Sequence, residues 1–311
     1  MDISRLQTFC RVYELRSFSR AAAELYLSQP TVSSHIAALE VELGSSLFDR
    51  IGRTILPTQA GKILYGHARE VHDKLKMAKS EIAALQHRVT GELCLGGSTI
   101  PGHYLLPEAL SRFKGMYPEV DIKLEIGDSS AIQERVALGS LDLGIIGAEA
   151  SHPDLSSEPL MADHLIILGQ ASFFRLSDDS VDREELCTIP WIIRERGSGT
   201  RSALELGLSG MGLRLEDLTI AAVVHSTEAM LRCVQSGLGI SLTSFLAARE
   251  LKDRPELKLI YPPGQSFQRT FSILRHRQRT LYPASERFIP FLRQETQRLQ
   301  TAKLTATGTT P

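Results

Sequence analysis

Two short stretches of this chain carry side chains dense enough in donors and acceptors to do chemistry. The first is Ser28-Gln29-Pro30-Thr31-Val32-Ser33-Ser34-His35-Ile36, in which Gln29, Thr31, Ser33, Ser34 and His35 are small or hydrogen-bonding and no acidic residue follows before Glu40. Neutral donors and acceptors suit the floor of a DNA major groove, where each base pair presents its own donor and acceptor pattern. The second is Arg196-Gly197-Ser198-Gly199-Thr200-Arg201, preceded by Arg194. Its glycines let backbone approach a ligand, its hydroxyls add donors, and its arginines supply positive charge. That is the chemistry of an anion site. An ordinary loop and helix cap would explain Gly197 and Ser198, but not the density of arginine.

The first stretch needs a helix to present it. Val32, Ile36, Leu39 and Leu43 fall at i, i+4, i+7 and i+11, one apolar stripe at helical period. Ser28 is a good N-cap, Pro30 fits a first helical turn, and Gly44 sits where the helix would stop. Upstream, Phe18, Ala21, Ala22 and Leu25 predict a shorter helix, separated from the Ser28 cap only by Tyr26-Leu27. Helix, tight turn, helix is the helix-turn-helix pattern, whose second helix enters the major groove. Leu6, Phe9, Cys10 and Tyr13 mark a further amphipathic helix packed behind these two. Leu47 to Pro57 suits a two-stranded wing with Gly52 at its turn. Arg53, near the tip, is placed to reach phosphate or a minor groove, and Arg50 is either a DNA contact or a structural ion-pair partner.

With these residues in register, the N-terminus resembles the signature of LysR-type transcriptional regulators. The matching positions are Phe18, Ala21-Ala22, Leu25, Ser28-Gln29-Pro30, Ser33, Leu39-Glu40, Leu43-Gly44, Leu47-Phe48, Arg50 and Arg53, completed by Leu56 and Thr58-Gln59-Ala60-Gly61. The resemblance implies that residues matching Gln29, Pro30 and Ser33 approach bases. Ser34 stands where many members carry a basic residue, which leaves base preference there open. The expected DNA-facing set is therefore Gln29, Pro30, Thr31, Ser33, Ser34, His35, Arg50 and Arg53.

From Thr58 the pattern becomes one long helix. Leu64, Val71, Ala78 and Leu85 are spaced by seven, as are Ala68, Leu75, Ile82 and Val89, and together they form an a/d seam flanked by Arg69, Lys74, Lys76 and Lys79. Such a seam predicts a dimerising linker ended by Thr90-Gly91, and a dimer is what two operator half-sites require. The expected domains are a winged helix-turn-helix over residues 1–57, a linker helix over 58–90, an effector domain over 91–300 and a disordered tail over 301–311.

Past Gly91 strands and helices alternate. Strands are predicted at Leu93–Gly97, Val120–Ile126, Leu141–Ile146, Leu165–Leu168, Trp191–Ile193, Thr219–Val224 and Ile240–Leu242, with helices between most of them. This alternation argues for parallel sheet with helices on both faces, an α/β class. Two such series resemble the two-lobed periplasmic-binding-protein fold (type II) that LysR-type regulators use as sensor. By that resemblance lobe one is residues 91–162 plus 269–300, lobe two is residues 163–268, strand Thr270–Leu274 and the helix from Pro283 to about Leu299 return to lobe one. Ligands of open α/β sheets sit beyond the carboxyl ends of strands, at helix N-termini. That position belongs to Ser98, Thr99 and Ile100 after the first strand, to Arg196, Gly197, Ser198 and Thr200 in the glycine-arginine stretch, and to Ser226 and Thr227 after Val224. Asp128 and Ser129 would line the first-lobe side and Gly147 the hinge-side wall, Asp128 either touching ligand or pairing with an arginine. The glycine-arginine stretch is similar to that of the LysR-type subgroup found among regulators of carbon fixation and sulfur assimilation, whose effectors are often small anionic metabolites.

Whole-chain properties bound the alternatives. The 311 residues, 42% hydrophobic with net charge −1, fit two or three globular domains and offer no general basic coat for nucleic acid. No apolar run reaches membrane-spanning length, and Met1-Asp2-Ile3-Ser4-Arg5 is no signal peptide, so a cytoplasmic protein is expected rather than an exported solute receptor. Cys10, Cys94, Cys187 and Cys233 are far apart without ligand-spaced histidines; they read as reduced thiols, with redox sensing by Cys187 and Cys233 the alternative. His67 and His72, five apart, do not share a helix face as a metal pair would. For catalysis, Ser98 or Ser198 lacks a placed base, His164 and His225 match no motif spacing, and no nucleophile elbow is present. The expectation is a regulator with no catalytic residue, no cofactor and no metal. Its partners are an operator in double-stranded DNA, a second copy of itself (dimer or tetramer), a small-molecule effector and, by the resemblance, RNA polymerase.

Overall fold

The computed structural model describes residues 1–51, 54–84, 88–174, 183–262 and 267–307, and the chain divides into two compact units, Met1–Gln86 and His87–Pro311. In the first unit, helices α1 (Ile3–Leu15), α2 (Phe18–Glu24) and α3 (Gln29–Leu43) precede strands β1 (Phe48–Ile51) and β2 (Thr54–Pro57) and the long helix α4 (Gln59–Ala84). Phe9, Val12, Ala21, Val32, Ile36, Leu39 and Leu47 form its core, and the small Ala21 and Ala22 allow α2 close to its neighbours. β1 and β2 pair antiparallel from Phe48 opposite Pro57 to Ile51 opposite Thr54, which is the predicted wing. Arg50 lies in β1 opposite Ile55. Arg53 and Gly52 lie outside the described residues.

The linker departs from the expected seam at both ends. Thr58 starts α4: its hydroxyl donates to the Ser46 carbonyl at 2.7 Å and accepts from the Gly61 N–H at 3.0 Å. Leu64 and Ala68 are then consumed by the core of the first unit. Val71, Leu75 and Ile82 are 43%, 37% and 63% exposed, so the free seam begins a heptad later than predicted. At the other end α4 is described to Ala84, Leu85 lies outside the described residues, and Val89 packs on the core of the second unit. Val89 does not continue the seam because it leads directly into a strand whose apolar face it joins.

The second unit runs β3 (Gly91–Ser98), α5 (Thr99–Tyr104), α6 (Leu106–Met116), β4 (Val120–Gly127), α7 (Ser129–Ala137), β5 (Leu143–Ile146), β6 (Leu155–Gln170), α8 (Arg183–Thr188), β7 (Pro190–Arg194) and α9 (Gly199–Gly210). It continues with β8 (Thr219–Val224), α10 (Thr227–Gln235), β9 (Ser241–Ser244), α11 (Phe245–Ala248), β10 (Leu257–Ile260), β11 (Gln268–His276) and α12 (Pro283–Thr307). Helices cover both faces of both lobes, as predicted. In lobe one α6 and α12 close over Leu93, Leu95, Leu143 and Ile145, while Ile132 and Val136 of α7 pack on the other face. In lobe two the odd residues Leu165, Ile167, Trp191 and Ile193 meet α9, and the even residues Ile166, Leu168 and Ile192 meet α10 and α11.

The all-parallel expectation is corrected. β3 pairs parallel with β4 and β5, and β7 with β8, but β11 is antiparallel to β5 and β6, and β6 is antiparallel to β9 and β10. The cause is β6, a 16-residue strand that serves both lobes: residues 155–164 pair with β11, and residues 165–170 pair with β9 and β10. Its first ten residues alternate buried with exposed and contain Ser156, Ser157, Glu158 and Pro159, which hid the strand in the sequence. The tail is also corrected. α12 continues to Thr307, past the expected end near Leu299, through the good helix formers Ala302, Lys303, Leu304 and Ala306. Residues 308–311 lie outside the described residues.

Candidate functional sites: the reading helix and the interlobe cleft

At the start of α3 the Ser28 hydroxyl accepts from the Thr31 N–H at 3.2 Å and lies 2.7 Å from the Thr31 hydroxyl. Gln29 and Pro30 are exposed, and the Gln29 amide donates to Ser33 Oγ at 3.2 Å, so the two polar groups form one preset pair. Thr31 and Ser33 are half-buried and Ser34 is exposed. His35, counted as outward in the sequence, is half-buried and its Nδ1 lies 2.9 Å from the buried Thr8 hydroxyl of α1. Thr8 donates its one hydroxyl hydrogen to the Ser4 carbonyl at 2.9 Å, so Nδ1 of His35 is the donor toward Thr8 and Nε2 is left facing away from that bond.

The second site forms where the two lobes meet, and buried arginines organise it. Arg194, only 3% exposed at the end of β7, gives two parallel N–H bonds to Glu195, both 2.8 Å. It also reaches Thr227 at 2.6 Å in lobe two and Thr99 at 3.2 Å in lobe one. Burial, the largest single influence, pushes the Glu195 carboxyl upward, but the hydrogen bonds and charge of Arg194, a backbone hydrogen bond and the nearby His225 together outweigh it and hold the group below the usual carboxylate range. Arg269, on β11, ties the same region from below. Its Nε donates to Asp163 of β6 at 2.7 Å, and its Nη1 donates to Thr200 at 3.1 Å in the first turn of α9. Asp163 also accepts from Ser244. The remaining Nη2 of Arg269, whose guanidinium carbon lies 5.1 Å from the centre of the Phe271 ring, is buried without a hydrogen-bond partner, and so is the hydroxyl of Ser129 at the start of α7.

The glycines show how closely the lobes approach. Gly197 has φ +91°, and a Cβ there would stand 3.2 Å from Asp128 Oδ1 and from Ser130 Oγ across the cleft. A Cβ on Gly199 would meet the Gly147 carbonyl carbon at 2.8 Å. The N-termini of α7 and α9, each with free N–H groups, therefore lie on opposite walls of one seam.

Most of the predicted effector residues line this seam, in differing roles. Thr99, Thr200 and Thr227 are bonded by the arginines, Ser129 is unpartnered, and Gly147 backs Gly199 and Arg269. Ser98 and Ser198 occupy the cap positions of α5 and α9 without a cap hydrogen bond from the side chain. Ser226 caps α10 by accepting from Ala229 at 3.3 Å, and Asp128 caps α7 by accepting from Ala131 at 2.8 Å. Among the described residues no arginine pairs with Asp128, which removes the ion-pair alternative. Ile100 belongs to the core, and Arg196 is exposed to solvent.

Comparison with known proteins follows this division. Residues 3–62 match the bacterial regulatory helix-turn-helix protein, lysR family, and residues 86–297 match the LysR substrate binding domain. The chain belongs to the LysR family of transcriptional regulators. It is 32% identical to the HTH-type transcriptional regulator CysL of Bacillus subtilis over 269 residues, covering 86% of this chain and 89% of that protein. It is 30% identical to the RuBisCO operon transcriptional regulator of Acidithiobacillus ferrooxidans over 288 residues, covering 93% and 90%. These relatives match the carbon-fixation and sulfur subgroup suggested by the glycine-arginine stretch. Among solved structures, full-length CbnR complexed with its target DNA aligns over 95% of this chain and 100% of that one with TM-score 0.64 and 22% identity. The Synechocystis CcmR regulatory domain in complex with 2-PG aligns over 66% and 96% with TM-score 0.60 and 22% identity. Both show a shared LysR-type fold.

For this LysR-family regulator, sequence reasoning missed Arg269 and Asp163 and left Arg194 outside the contact set. Arg269 abuts an apolar strand a long way from the glycine-arginine stretch, and only the β6–β11 pairing puts it opposite Asp163. Nothing local marked either residue. Arg194 was visible as charge, but its role as a clamp between Thr99 and Thr227 depends on two other elements. Cys187 and Cys233 pack against different cores of the second unit, and burial pushes the Cys10 thiol up to about 12. No helix among the described residues is long and apolar enough to cross a membrane.

Proposed function

We propose that this regulator senses a small anionic metabolite held between the two lobes and that the ligand, by stabilising one lobe arrangement over another, changes how the dimer engages its operator. The observation that carries this reading is that the buried Arg269 Nη2 and the buried Ser129 Oγ both lack a hydrogen-bond partner, while Nη1 of the same guanidinium reaches Thr200 at the start of α9. A buried guanidinium N–H without an acceptor is costly, and an oxyanion would satisfy it. Thr99, Ser129, Thr200 and Thr227 are the hydroxyl donors, the α7 and α9 N-termini add backbone N–H groups, and Ser98, Ser198, Ser226, Gly147 and Gly197 shape the walls. Asp128 holds α7 in place, Ile100 supports α5 from the core, and Arg196 supplies charge at the exposed mouth. The ligand must bind one arrangement better, since equal affinity shifts nothing. The CcmR domain, solved with 2-PG, gives this reading precedent in the same fold.

The exposed row Val71, Leu75 and Ile82 on α4 is the surface through which two copies would zip, and CbnR bound to its target DNA gives precedent for the operator as partner. Higher assembly to a tetramer and contact with RNA polymerase belong to the same reading. The protein acts as a regulator in the cytoplasm, and the cleft binds rather than transforms its ligand.

The test is a thermal-shift screen of the full-length protein against sulfate, phosphate, phosphorylated sugars and small carboxylic acids. A ligand at about 100 times its Kd would stabilise the native state by roughly 2.7 kcal/mol. Ser129→Ala and Thr200→Val should both reduce that shift and leave operator binding without ligand unchanged. A hit whose shift is the same in both variants would place the ligand elsewhere.

A further inference from the structure

Among the described residues two that are not glycine hold left-handed backbone, Arg16 at φ 51° and Tyr26 at φ 54°. In that region Cβ crowds the following carbonyl, so the position favours glycine. At Arg16 the side chain has a use inside the unit, with its guanidinium carbon 4.7 Å from the centre of the Tyr13 ring. Tyr26 has no such anchor. It is 96% exposed, the most of any large apolar residue described, and its ring pairs with no other ring among the described residues. The conformation itself is imposed by the end of α2, where the Leu27 N–H reaches back to the Ala22 carbonyl at 2.9 Å. Strain that nothing in the chain offsets points to a use outside it.

The surroundings say what that use is. Residues 26–30 are one uninterrupted exposed run leading from the turn into the start of α3. From Tyr26 to Gln29 is three residues, at most about 11 Å of chain, against a major groove about 12 Å wide. With Gln29 on the groove floor, the Tyr26 side chain therefore reaches the sugar-phosphate strand at the groove edge. No carboxylate occurs from Tyr26 to Leu39 to repel that strand. The phenol offers one neutral O–H donor on a flat apolar ring.

We propose that Tyr26 is a DNA-backbone contact, its hydroxyl donating to a phosphate oxygen beside the groove that α3 enters, so that glycine at this turn would relieve strain and cost grip. This rests on α3 being the groove-reading helix. The test uses full-length wild type, Tyr26→Gly and Tyr26→Phe with two probes: a random-sequence duplex, and a duplex selected by the wild type from a randomised pool. Tyr26→Gly should raise the melting temperature yet bind both duplexes about tenfold more weakly, the loss expected for a hydrogen bond to a charged group. Tyr26→Phe should lose most of the same affinity. For both variants the slope of log affinity against log salt should stay that of the wild type, because a neutral hydroxyl displaces no counterion. Wild-type affinity in either variant, no gain in melting temperature for Tyr26→Gly, or a loss confined to one base pair of the selected duplex would overturn the proposal. Gln29→Ala is measured alongside. If it relaxes base selection while the Tyr26 variants bind normally, only the Tyr26 contact is lost; if it does not, the reading-helix assignment falls and takes this proposal with it.

Discussion

The start of α3 and the interlobe cleft both present hydroxyls and free backbone N–H groups, yet they are built on opposite plans. At α3 the bonds that preset the outward face are local, Ser28 to Thr31 and Gln29 to Ser33 spanning three and four residues, and the flanking His35 is tied to Thr8 of α1. In the cleft the adjacent Arg194–Glu195 pair and the caps at Asp128 and Ser226 are local too, but the bonds that join separate elements are long-range. Arg194 reaches Thr99 across 95 residues, and Arg269 reaches Asp163 across 106. A locally built site can tolerate change elsewhere in the fold. A cleft made from distant strands shares its bonds with the fold, so the residues proposed to bind ligand there also hold the unit together.

The largest test of that contrast is the buried pair in the cleft. Arg269→Leu leaves Asp163 charged and unpaired in a nearly solvent-free position, and should destabilise the effector unit by about 3–5 kcal/mol. Trp191, the single tryptophan of the chain and fully buried in that unit, reports the loss in urea unfolding. Replacing both members of the pair by leucine should recover most of the stability. If the double variant is no better than the single, the pair is not the unit that matters.

Ser28→Ala probes the local plan and should cost about 1 kcal/mol, confined to the first unit. Circular dichroism should detect it while the Trp191 transition stays put, and movement of both would show that the two sites are not independent.

A smaller effect separates the arginine clamp from the rest of the cleft. The Glu195 carboxyl is held below its ordinary 4.5 in the folded state, so its pairing with Arg194 contributes stability that is present above that value and is lost as pH falls through the lower folded value. Stability followed through Trp191 should therefore decline below about pH 4.5, and Glu195→Gln should flatten part of that decline. An unchanged acid limb in Glu195→Gln would assign the pH dependence to other carboxylates. The gentlest change is Gln29→Ala, expected to leave stability within about 0.5 kcal/mol and to alter only which base is preferred at one operator position.

Legibility in the sequence followed the range of the interactions. The cap at Ser28, the stripe from Val32 to Leu39, the wing and the start of α4 at Thr58 all read correctly, because each is decided within a few residues. His35 did not. It lies on the flank of α3, and whether a flank residue faces groove or protein depends on Thr8 of another helix. The heptad seam was right in period but wrong in extent, since Leu64 and Ala68 obey the repeat while belonging to a different core. Strand β6 was read ten residues short because its first half is exposed on one side and polar there.

From its own order of residues this chain determined the helix-turn-helix, the alternating strands and helices, and the positive, hydroxyl-rich turn at residues 194–201, because caps, periodicity and charge are properties of neighbours along the backbone. Tertiary structure alone decided that β6 and β11 run antiparallel through both lobes, that Asp163 receives Arg269, and that Arg194 bridges two lobes. Those choices depend on which distant strands become adjacent, and a side chain acquires a buried partner only after that pairing has been made.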